Sequence, residues 1–322
     1  MKAIRVNQPG GPDVLSLEDI DTPTPGEGQL LVKLDAAGLN FIDCYQRSGL
    51  YNMEFPLTLG NEGAGVVEAV GPGVSGFAPG DNVAYTGVLG AYAEYTLLPA
   101  ARAVKVPSGM DNKQAAAIML QGLTAHYLCR DTYKIEQGSK CLIHAGAGGV
   151  GLLLIQMCKM FGAEVFTTVS TDEKVALAKE AGADHVIKYT ETDFEEAVNA
   201  AAGKNALDVV YDSVAKTTFH KGLNLLRPRG TMVLYGQSSG PVDPIDPNIL
   251  NPKGSLYLTR PSLVHYIGPR AELDARATDV MTWVASGKLN VRIGAEFPLA
   301  EAKAAHEALE GRKTTGKVLL IP

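Results

Sequence analysis

The segment Ala145–Gly151 has the sequence AGAGGVG, in which the glycines follow the spacing G-x-G-x-x-G. An apolar run at 141–144 precedes it, and a helix-like run ending at Gly162 follows it. Glycines in this context let the backbone approach a pyrophosphate, whose charge meets the free N–H groups at the helix start. A second strand-like run, Ala163–Val169, completes a βαβ unit of about 30 residues. The pattern predicts a nicotinamide dinucleotide site, the alternative being a helix-capping turn without a ligand.

The composition limits the class of protein. The chain has 322 residues, 46% of them hydrophobic, which favours two domains with a sizeable interior. The 29 Lys and Arg residues are outnumbered by 35 Asp and Glu residues, so the formal net charge is −6. No long basic run is present to follow a phosphate backbone, and nucleic acid is therefore a poor candidate partner.

The elements that must position this turn fall into three stretches. Residues 1–122 contain short β-like segments separated by glycine and proline, which is typical of a barrel-like β domain. Strands alternate with amphipathic helices over 123–260, which predicts parallel strands joined by crossover helices in a doubly wound sheet. The tail, 261–322, adds two helices and a last strand, Lys317–Ile321. We expect the tail to return to the first domain, so that the cofactor domain is an insertion.

The four cysteines, Cys44, Cys129, Cys141 and Cys158, lack CxxC spacing. We expect them to be buried as small hydrophobic residues rather than to bind metal or exchange electrons. The N-terminal sequence does not resemble a secretory signal, and these observations together predict a reduced, cytoplasmic location without membrane association.

Several motifs occur in a known order: Gly38–Asp43, Gly60–Gly65 with Val70-Gly71, Gly80–Val83, and the glycine-rich turn. In this order they resemble the medium-chain dehydrogenases/reductases, and within that superfamily the chain is similar to the zinc-independent NADPH:quinone oxidoreductases, the zeta-crystallin type. The resemblance covers essentially the whole chain. It implies an α/β protein in which a doubly wound Rossmann cofactor domain is inserted in a GroES-like, mostly β catalytic domain.

Two asparagines distinguish the chain from the zinc enzymes of that superfamily. Those enzymes place a cysteine where Asn40 stands and a histidine where Asn61 stands, and their structural-zinc cysteines have no counterpart in Tyr85–Tyr95. Asparagine is a poor zinc ligand, so we expect no metal site. Without a Lewis acid to bind an alkoxide, alcohol oxidation is disfavoured, whereas reduction of an electron-poor acceptor needs chiefly a well-placed hydride donor.

The residues after the second strand of the βαβ unit favour NADPH over NADH. NAD-selecting units place an acidic residue there, which binds the ribose 2′-OH. Here Ser170 and Thr171 follow the strand and Lys174 lies one turn further on, and hydroxyls with an ammonium suit a 2′-phosphate. The alternative is that Lys174 is an ordinary surface residue and that Asp172 and Glu173 are only the acids of a first helical turn.

In a doubly wound sheet the ligand lies outside the carboxyl ends of the strands. This rule, with the glycine pattern, predicts cofactor binding by Gly148, Gly149, Val150, Ser170, Thr171, Lys174, Ser213, Tyr235, Gly236, Gln237 and Ser238. The family resemblance implies further cofactor contacts by Phe41, Ile42, Asp43, Cys44, Tyr45, Tyr127, Tyr189, Pro261, Ser262 and Arg312.

Two tyrosines and an asparagine are the candidate catalytic residues. We expect Tyr51 and Tyr45 to border the acceptor, with Asn40 and Asp43 beside them. A hydroxyl or amide directed at developing negative charge lowers a barrier by about 3 kcal/mol. The alternative, in which either tyrosine only packs against the cofactor or substrate, stays open. No obligatory acid is evident, because the product oxygen can take its protons from water.

The sequence thus predicts an NADPH-dependent quinone reductase. One alternative, with the same fold, reduces the C=C bond of an enal or enone. A second, a cofactor-binding protein with a structural or RNA-binding role, is disfavoured by the acidic composition. The segment Ser255–Leu258 is typical of an edge strand that pairs across a two-fold axis, which predicts a homodimer.

Overall fold

Two units share the chain in the computed structural model, which describes residues 1–322. The first unit comprises Met1–Leu123 and Ile267–Pro322, and the second comprises Thr124–Tyr266. The tail therefore returns to the first unit, although residues 261–266, assigned to the first domain from the sequence, lie in the second. There the ring of Tyr266 stacks on that of Tyr127 with centroids 4.1 Å apart.

The second unit is built on a parallel sheet. Its strands are β9 (Lys140–Ile143), β10 (Glu164–Val169), β11 (His185–Lys188), β12 (Leu207–Asp212), β13 (Leu226–Leu234) and β14 (Tyr257–Thr259). They lie in the order β11-β10-β9-β12-β13-β14, and every neighbouring pair is parallel. The strand order changes direction between β9 and β12, which is where doubly wound sheets bind their ligands.

Helices connect these parallel strands, because a parallel pair cannot be joined by a short hairpin. They are α3 (Gly149–Met160), α4 (Asp172–Glu180), α5 (Phe194–Ala202) and α6 (Phe219–Leu225), whereas α7 (Leu263–Tyr266) follows the last strand of the sheet. The side chains of Cys141, Leu142 and Ile143 are fully buried, as expected of a central strand covered on both faces. The predicted doubly wound sheet is confirmed.

One strand differs from its prediction in length. The alternation of strands and helices in the sequence predicts a strand over Thr231–Tyr235, but β13 begins at Leu226, directly after α6. The register with β12 shifts between Leu207 and Val209, and Arg229 adopts a φ of 61°. Pro228 and Gly230 lie on either side of Arg229, and proline and glycine at this spacing are typical of a turn. For this reason the sequence did not indicate that the first half of β13 is a strand.

The first unit contains two sheets. Its strands are β1 (Lys2–Val6), β2 (Leu15–Asp19), β3 (Gln29–Leu39), β4 (Leu57–Thr58), β5 (Glu62–Val70), β6 (Asn82–Thr86), β7 (Tyr95–Pro99), β8 (Val104–Lys105), β15 (Ile293–Pro298) and β16 (Lys317–Ile321). The smaller sheet has the order β2-β1-β4, and the larger has the order β15-β16-β3-β5-β6-β8, with β7 paired to β3. Apolar side chains such as Val32, Val83 and Leu320 fill the core.

Four helices accompany these sheets: α1 (Phe41–Arg47), α2 (Asn112–Tyr127), α8 (Arg270–Ala285) and α9 (Ala302–Glu310). The tail joins the larger sheet through β16, which pairs with β3 in antiparallel register so that Leu319 lies opposite Gly38. On the other side of β3, Ala37 lies opposite Gly63 of β5. The starts of β16 and β5 are thereby brought to the end of β3, immediately before α1. No helix of the chain has the length and apolarity needed to cross a lipid bilayer.

Candidate functional site

The glycine-rich turn between β9 and α3 leaves room for a ligand at its surface. A Cβ at Gly146 would overlap the hydroxyl of Thr167, and one at Gly151 would overlap the carbonyl oxygen of Ala145. Ala145 itself has a φ of 57°, in the left-handed region. The turn packs tightly on its own backbone here, and only glycine fits at both positions.

The start of α3 supplies donors for an anion. Gly148 is its N-cap residue and has no capping side chain, so the first N–H groups of the helix lack intrahelical acceptors. Gly148, Gly149 and Val150 are half-buried. Free N–H groups and the positive end of the helix dipole suit a pyrophosphate, and the segment therefore fits the dinucleotide predicted from its sequence.

The other cofactor residues predicted for the second unit follow the carboxyl ends of its parallel strands. Ser213 follows β12 and Tyr235 follows β13, and the two turns are joined because Ser238 N donates to Ser213 O at 3.1 Å. A Cβ at Gly236 would lie 2.7 Å from Ser213 O. The buried carboxylate of Asp212 fixes the first turn by accepting hydrogen bonds from Val214 N at 2.8 Å and Ala215 N at 2.9 Å.

The residues predicted to select NADPH lie together at the end of β10. Thr171 is the N-cap of α4, and its hydroxyl accepts a hydrogen bond from Lys174 N at 3.3 Å. Asp172 is paired with Lys188, whose Nζ lies 2.6 Å from Asp172 Oδ1. Tyr189 follows β11 and is 41% exposed. Asp172, the acid nearest the end of β10, is thus paired with Lys188. The hydroxyls of Ser170 and Thr171 and the ammonium group of Lys174 belong to its neighbours in the sequence.

Several residues implied by the family resemblance lie in different surroundings. Pro261 is buried and Ser262 is exposed, both after β14, and Arg312 lies on an exposed turn after α9. Tyr127 is only 2% exposed, and burial raises the pKa of its phenol above the ordinary value. The assignment of these residues to the cofactor stays a prediction.

The residues of α1 divide by burial. Phe41, Ile42 and Tyr45 are half-buried, whereas Asp43 and Cys44 are buried. Burial raises the pKa of the Cys44 thiol, so the thiolate is disfavoured. The rings of Phe41 and Tyr45 lie 6.1 Å apart, and Tyr51 meets Tyr45 edge to face at 5.5 Å. The structure thus brings both predicted catalytic tyrosines together, and Tyr51 N donates to Tyr45 O at 3.1 Å.

A buried ion pair lies directly before α1. Lys317, at the start of β16, is 1% exposed, and its Nζ donates to Glu62 Oε2, whose side chain is fully buried. Burial lowers the pKa of Lys317, while Glu62 opposes that shift. Glu62 Oε1 accepts a further hydrogen bond from Leu120 N of α2 at 2.8 Å. A Cβ at Gly38 would lie 2.6 Å from Lys317 Nζ, so glycine leaves the space for the pair.

The side chain of Asn40 is saturated by this pair and its neighbours. Its Oδ1 accepts from Lys317 Nζ at 2.9 Å and from Gln121 Nε2 at 3.3 Å. Its Nδ2 donates to Glu62 Oε2 at 2.7 Å and to Gly38 O at 3.2 Å. Both amide hydrogens and both oxygen lone pairs are thus used within the protein. The catalytic role of Asn40 stays a prediction, and in this arrangement its amide has no further hydrogen bond to offer.

A second buried cluster surrounds Asp43. Asp43 Oδ1 accepts from Asn61 Nδ2 at 2.7 Å, and Oδ2 accepts from Asn40 N at 2.8 Å and from the Tyr92 hydroxyl at 3.1 Å. Asn61 Nδ2 also donates to Gln46 Oε1 at 2.7 Å. Burial raises the pKa of Asp43 to about 6, although these hydrogen bonds and the charge of Lys317 favour the carboxylate.

Three residues of this site were missed by the sequence analysis: Glu62, Lys317 and Gln121. Glu62 lies inside a quoted motif and Lys317 begins a predicted strand, but neither spacing indicates that they meet. The one available signal was a charged residue beside an apolar strand, which requires a partner when it is buried. In the whole chain, no three His, Cys, Asp or Glu side chains come together in an arrangement that could hold a metal ion.

Two family models match the chain. Residues 26–108 match the alcohol dehydrogenase GroES-like domain, and residues 149–285 match the zinc-binding dehydrogenase family. A quinone oxidoreductase of Pseudomonas aeruginosa is 44% identical over 100% of this chain and 99% of that protein. A 2-haloacrylate reductase of Burkholderia is 41% identical over 98% of each. A structure of Escherichia coli quinone oxidoreductase complexed with NADPH matches 100% of both chains with a TM-score of 0.97 and 43% identity.

The raised pKa of Asp43 predicts a pH-dependent stability. The folded protein holds the proton up to about pH 6, whereas the ordinary value is 3.8, so Asp43 contributes stability that is present below pH 3.8 and is lost as the pH rises through about 6. This loss is on the order of 3 kcal/mol. We expect Asp43→Asn to flatten the fall in the free energy of unfolding between these pH values, measured by urea denaturation.

Asp19→Asn is the matched control, because Asp19 has an exposed side chain in the same unit. It should retain the wild-type slope. An Asp43→Asn protein with that same slope would contradict the prediction.

Proposed function

We infer the function from a premise that the comparisons establish: the chain belongs to the quinone oxidoreductases of the medium-chain dehydrogenase/reductase superfamily. It is an NADPH-dependent quinone reductase. The observation that carries this conclusion is the full-length match to a quinone oxidoreductase solved with NADPH, at a TM-score of 0.97, together with the glycine-rich turn before α3.

NADPH is the cofactor that the residues after β10 suit. The 2′-phosphate of NADPH carries negative charge, which Lys174 and the hydroxyls of Ser170 and Thr171 can meet. Asp172, the acid that could otherwise bind a ribose 2′-OH, is paired with Lys188. We therefore propose that these residues hold the adenosine phosphate, and that Ser213 and Tyr235–Ser238 hold the nicotinamide end.

When bound, the cofactor supplies a hydride from the nicotinamide C4, and the protein need only orient the acceptor and exclude water. Tyr45 and Tyr51 are the proposed acceptor-facing side chains. No metal is needed, because a quinone is already electron-poor. Asn40 and Asn61, the residues at the positions of zinc ligands in related enzymes, have their amides hydrogen-bonded to protein groups.

A second candidate function has a specific observation in its favour. The similar protein of Burkholderia is a 2-haloacrylate reductase, whose name denotes an acceptor with an activated C=C bond. Hydride addition to the β-carbon of such an acceptor would give an enolate, which is then protonated. We propose this as an additional acceptor class of the same site.

We also propose that the protein is a homodimer in the cytoplasm. The edge strand β14 pairs with β13 on one side only, and Tyr257 is 60% exposed and Leu258 37% exposed. An exposed apolar edge favours pairing with another strand. The four cysteines are free and buried, which suits a reducing compartment.

The function is tested by NADPH oxidation with a panel of quinones and enones, with NADH as the control cofactor. We expect turnover with quinones, a higher kcat/KM for NADPH than for NADH, and no loss after exhaustive treatment with a chelator. Product analysis separates hydroquinones from saturated ketones or aldehydes. Absence of quinone turnover, or its loss on chelation, would overturn the proposal.

Lys174→Glu tests the choice of cofactor. A carboxylate in place of the ammonium repels the 2′-phosphate, so the ratio of kcat/KM for NADPH to that for NADH should fall about tenfold, which corresponds to ~1.4 kcal/mol. Lys179→Glu, an equal change of charge on an exposed position of α4, is the control. A ratio within twofold of wild type for Lys174→Glu would count against the assignment.

Leu258→Lys tests the dimer. A charge on the edge strand should convert a dimer to a monomer, as measured by light scattering, because burying an unpaired ammonium is unfavourable. Leu17→Lys is the control, since Leu17 is similarly exposed, at 41%, on the edge strand β2. A wild-type protein that is monomeric, or a Leu258→Lys protein that stays dimeric, would refute pairing through β14.

A further inference from the structure

Gln121 is a buried amide with an uncommitted oxygen. It lies on α2 and is 9% exposed. Its Nε2 donates to Asn40 Oδ1 at 3.3 Å, and this is the only hydrogen bond of its side chain. Its Oε1 accepts no hydrogen bond. A buried acceptor without a donor costs about 1–3 kcal/mol, so a fold that keeps one points to a ligand.

The charges of the network fix the orientation of this amide. The Lys317 ammonium can only donate, so the Asn40 atom 2.9 Å from it must be Oδ1. The Asn40 nitrogen is then directed to the Glu62 carboxylate. Gln121 must meet Asn40 Oδ1 with its own nitrogen, because two carbonyl oxygens would repel each other. Gln121 Oε1 is thereby held on the side away from Asn40.

This arrangement separates the roles of the two amides. All four hydrogen-bonding positions of Asn40 are used inside the protein, by Lys317, Gln121, Glu62 and Gly38. Asn40 is therefore a positioning residue for Gln121. Gln121 is the amide whose oxygen accepts no hydrogen bond from the protein.

The chemistry of the acceptor decides when that lone pair can be used. A quinone carries carbonyl oxygens that only accept hydrogen bonds, and it leaves Gln121 Oε1 unpaired. Reduction of the quinone takes a hydride, which is one proton with two electrons, from the bound cofactor. It also takes one proton from water, and the hydroxide that remains passes to bulk solvent. The hydroquinone that results carries O–H donors at both oxygens. Gln121 Oε1 therefore complements the reduced form and not the oxidised one.

We propose, on the basis of the quinone reductase activity inferred above, that Gln121 is a catalytic residue whose Oε1 accepts a hydrogen bond from the hydroxyl group formed on the reduced acceptor. The interaction is absent with the quinone and develops as the O–H bond forms. An interaction that grows along the reaction lowers the barrier, whereas one that binds both forms equally does not.

Gln121→Met tests the proposal, because methionine has a similar length and cannot accept this bond. The measurement is the dissociation constant of 1,4-naphthoquinone and of its hydroquinone, each with the NADP⁺-bound enzyme under anaerobic conditions. We expect hydroquinone binding to weaken about tenfold and quinone binding to stay within twofold of wild type. Gln114→Met, the same change at an exposed position of α2, should alter neither constant. Equal weakening of both ligands, or no weakening of either, would overturn the proposal.

A measurement on the wild-type protein alone guards against misfolding of the variant. The hydroquinone should bind about tenfold more tightly than the quinone, since only the hydroquinone satisfies Oε1. Equal affinities would overturn the role of Gln121 while leaving the quinone reductase activity intact. A wild-type protein that binds both ligands but does not oxidise NADPH with quinones would instead overturn the proposed function, and this inference with it.

Discussion

The buried ion pair of Lys317 and Glu62 is the constraint on which the first unit depends. The two side chains are 1% and 0% exposed, and removal of one partner from such a pair typically costs 3–5 kcal/mol because the other charge is left uncompensated. The pair joins β16 to β5, and Glu62 also accepts the N–H of Leu120 in α2. This one charge interaction therefore holds β16, β5 and α2 together, and it fixes the positions of the residues on these elements.

The orientation of the amides next to this pair follows from its charge. An amide can rotate by half a turn and exchange its oxygen and nitrogen at almost no steric cost, so a neutral neighbourhood would leave it undefined. Here the ammonium of Lys317 selects the oxygen of Asn40, and the carboxylate of Glu62 selects its nitrogen. Asn61 is oriented in the same manner by the carboxylate of Asp43. The buried charges of Lys317, Glu62 and Asp43 thus orient side chains that are themselves uncharged.

The second unit was largely predictable from the sequence, whereas the buried hydrogen bonds around Lys317 and Glu62 in the first unit were not. Glycine spacing and alternating hydrophobic periods are local signals, and they located the turn before α3 and the strands and helices that follow it. The first half of β13 escaped because Pro228 and Gly230 imitate a turn. The contacts among Asn40, Glu62 and Lys317 depend on strand register, since the last two are 255 positions apart in the chain. Gln121 could not be singled out, because its importance depends on which of its atoms lacks a partner.

The distance along the chain between Glu62 and Lys317 also has a consequence for biosynthesis. A ribosome delivers β3, β5 and α1 first, then the whole of the second unit, and only afterwards the strand that contains the lysine. Throughout that interval the nascent chain contains a glutamate whose cation has not yet been made. The amide pair of Asn40 and Gln121 therefore acquires its definite orientation only after β16 has been translated and has joined β3, when every residue of the doubly wound unit has already been synthesised.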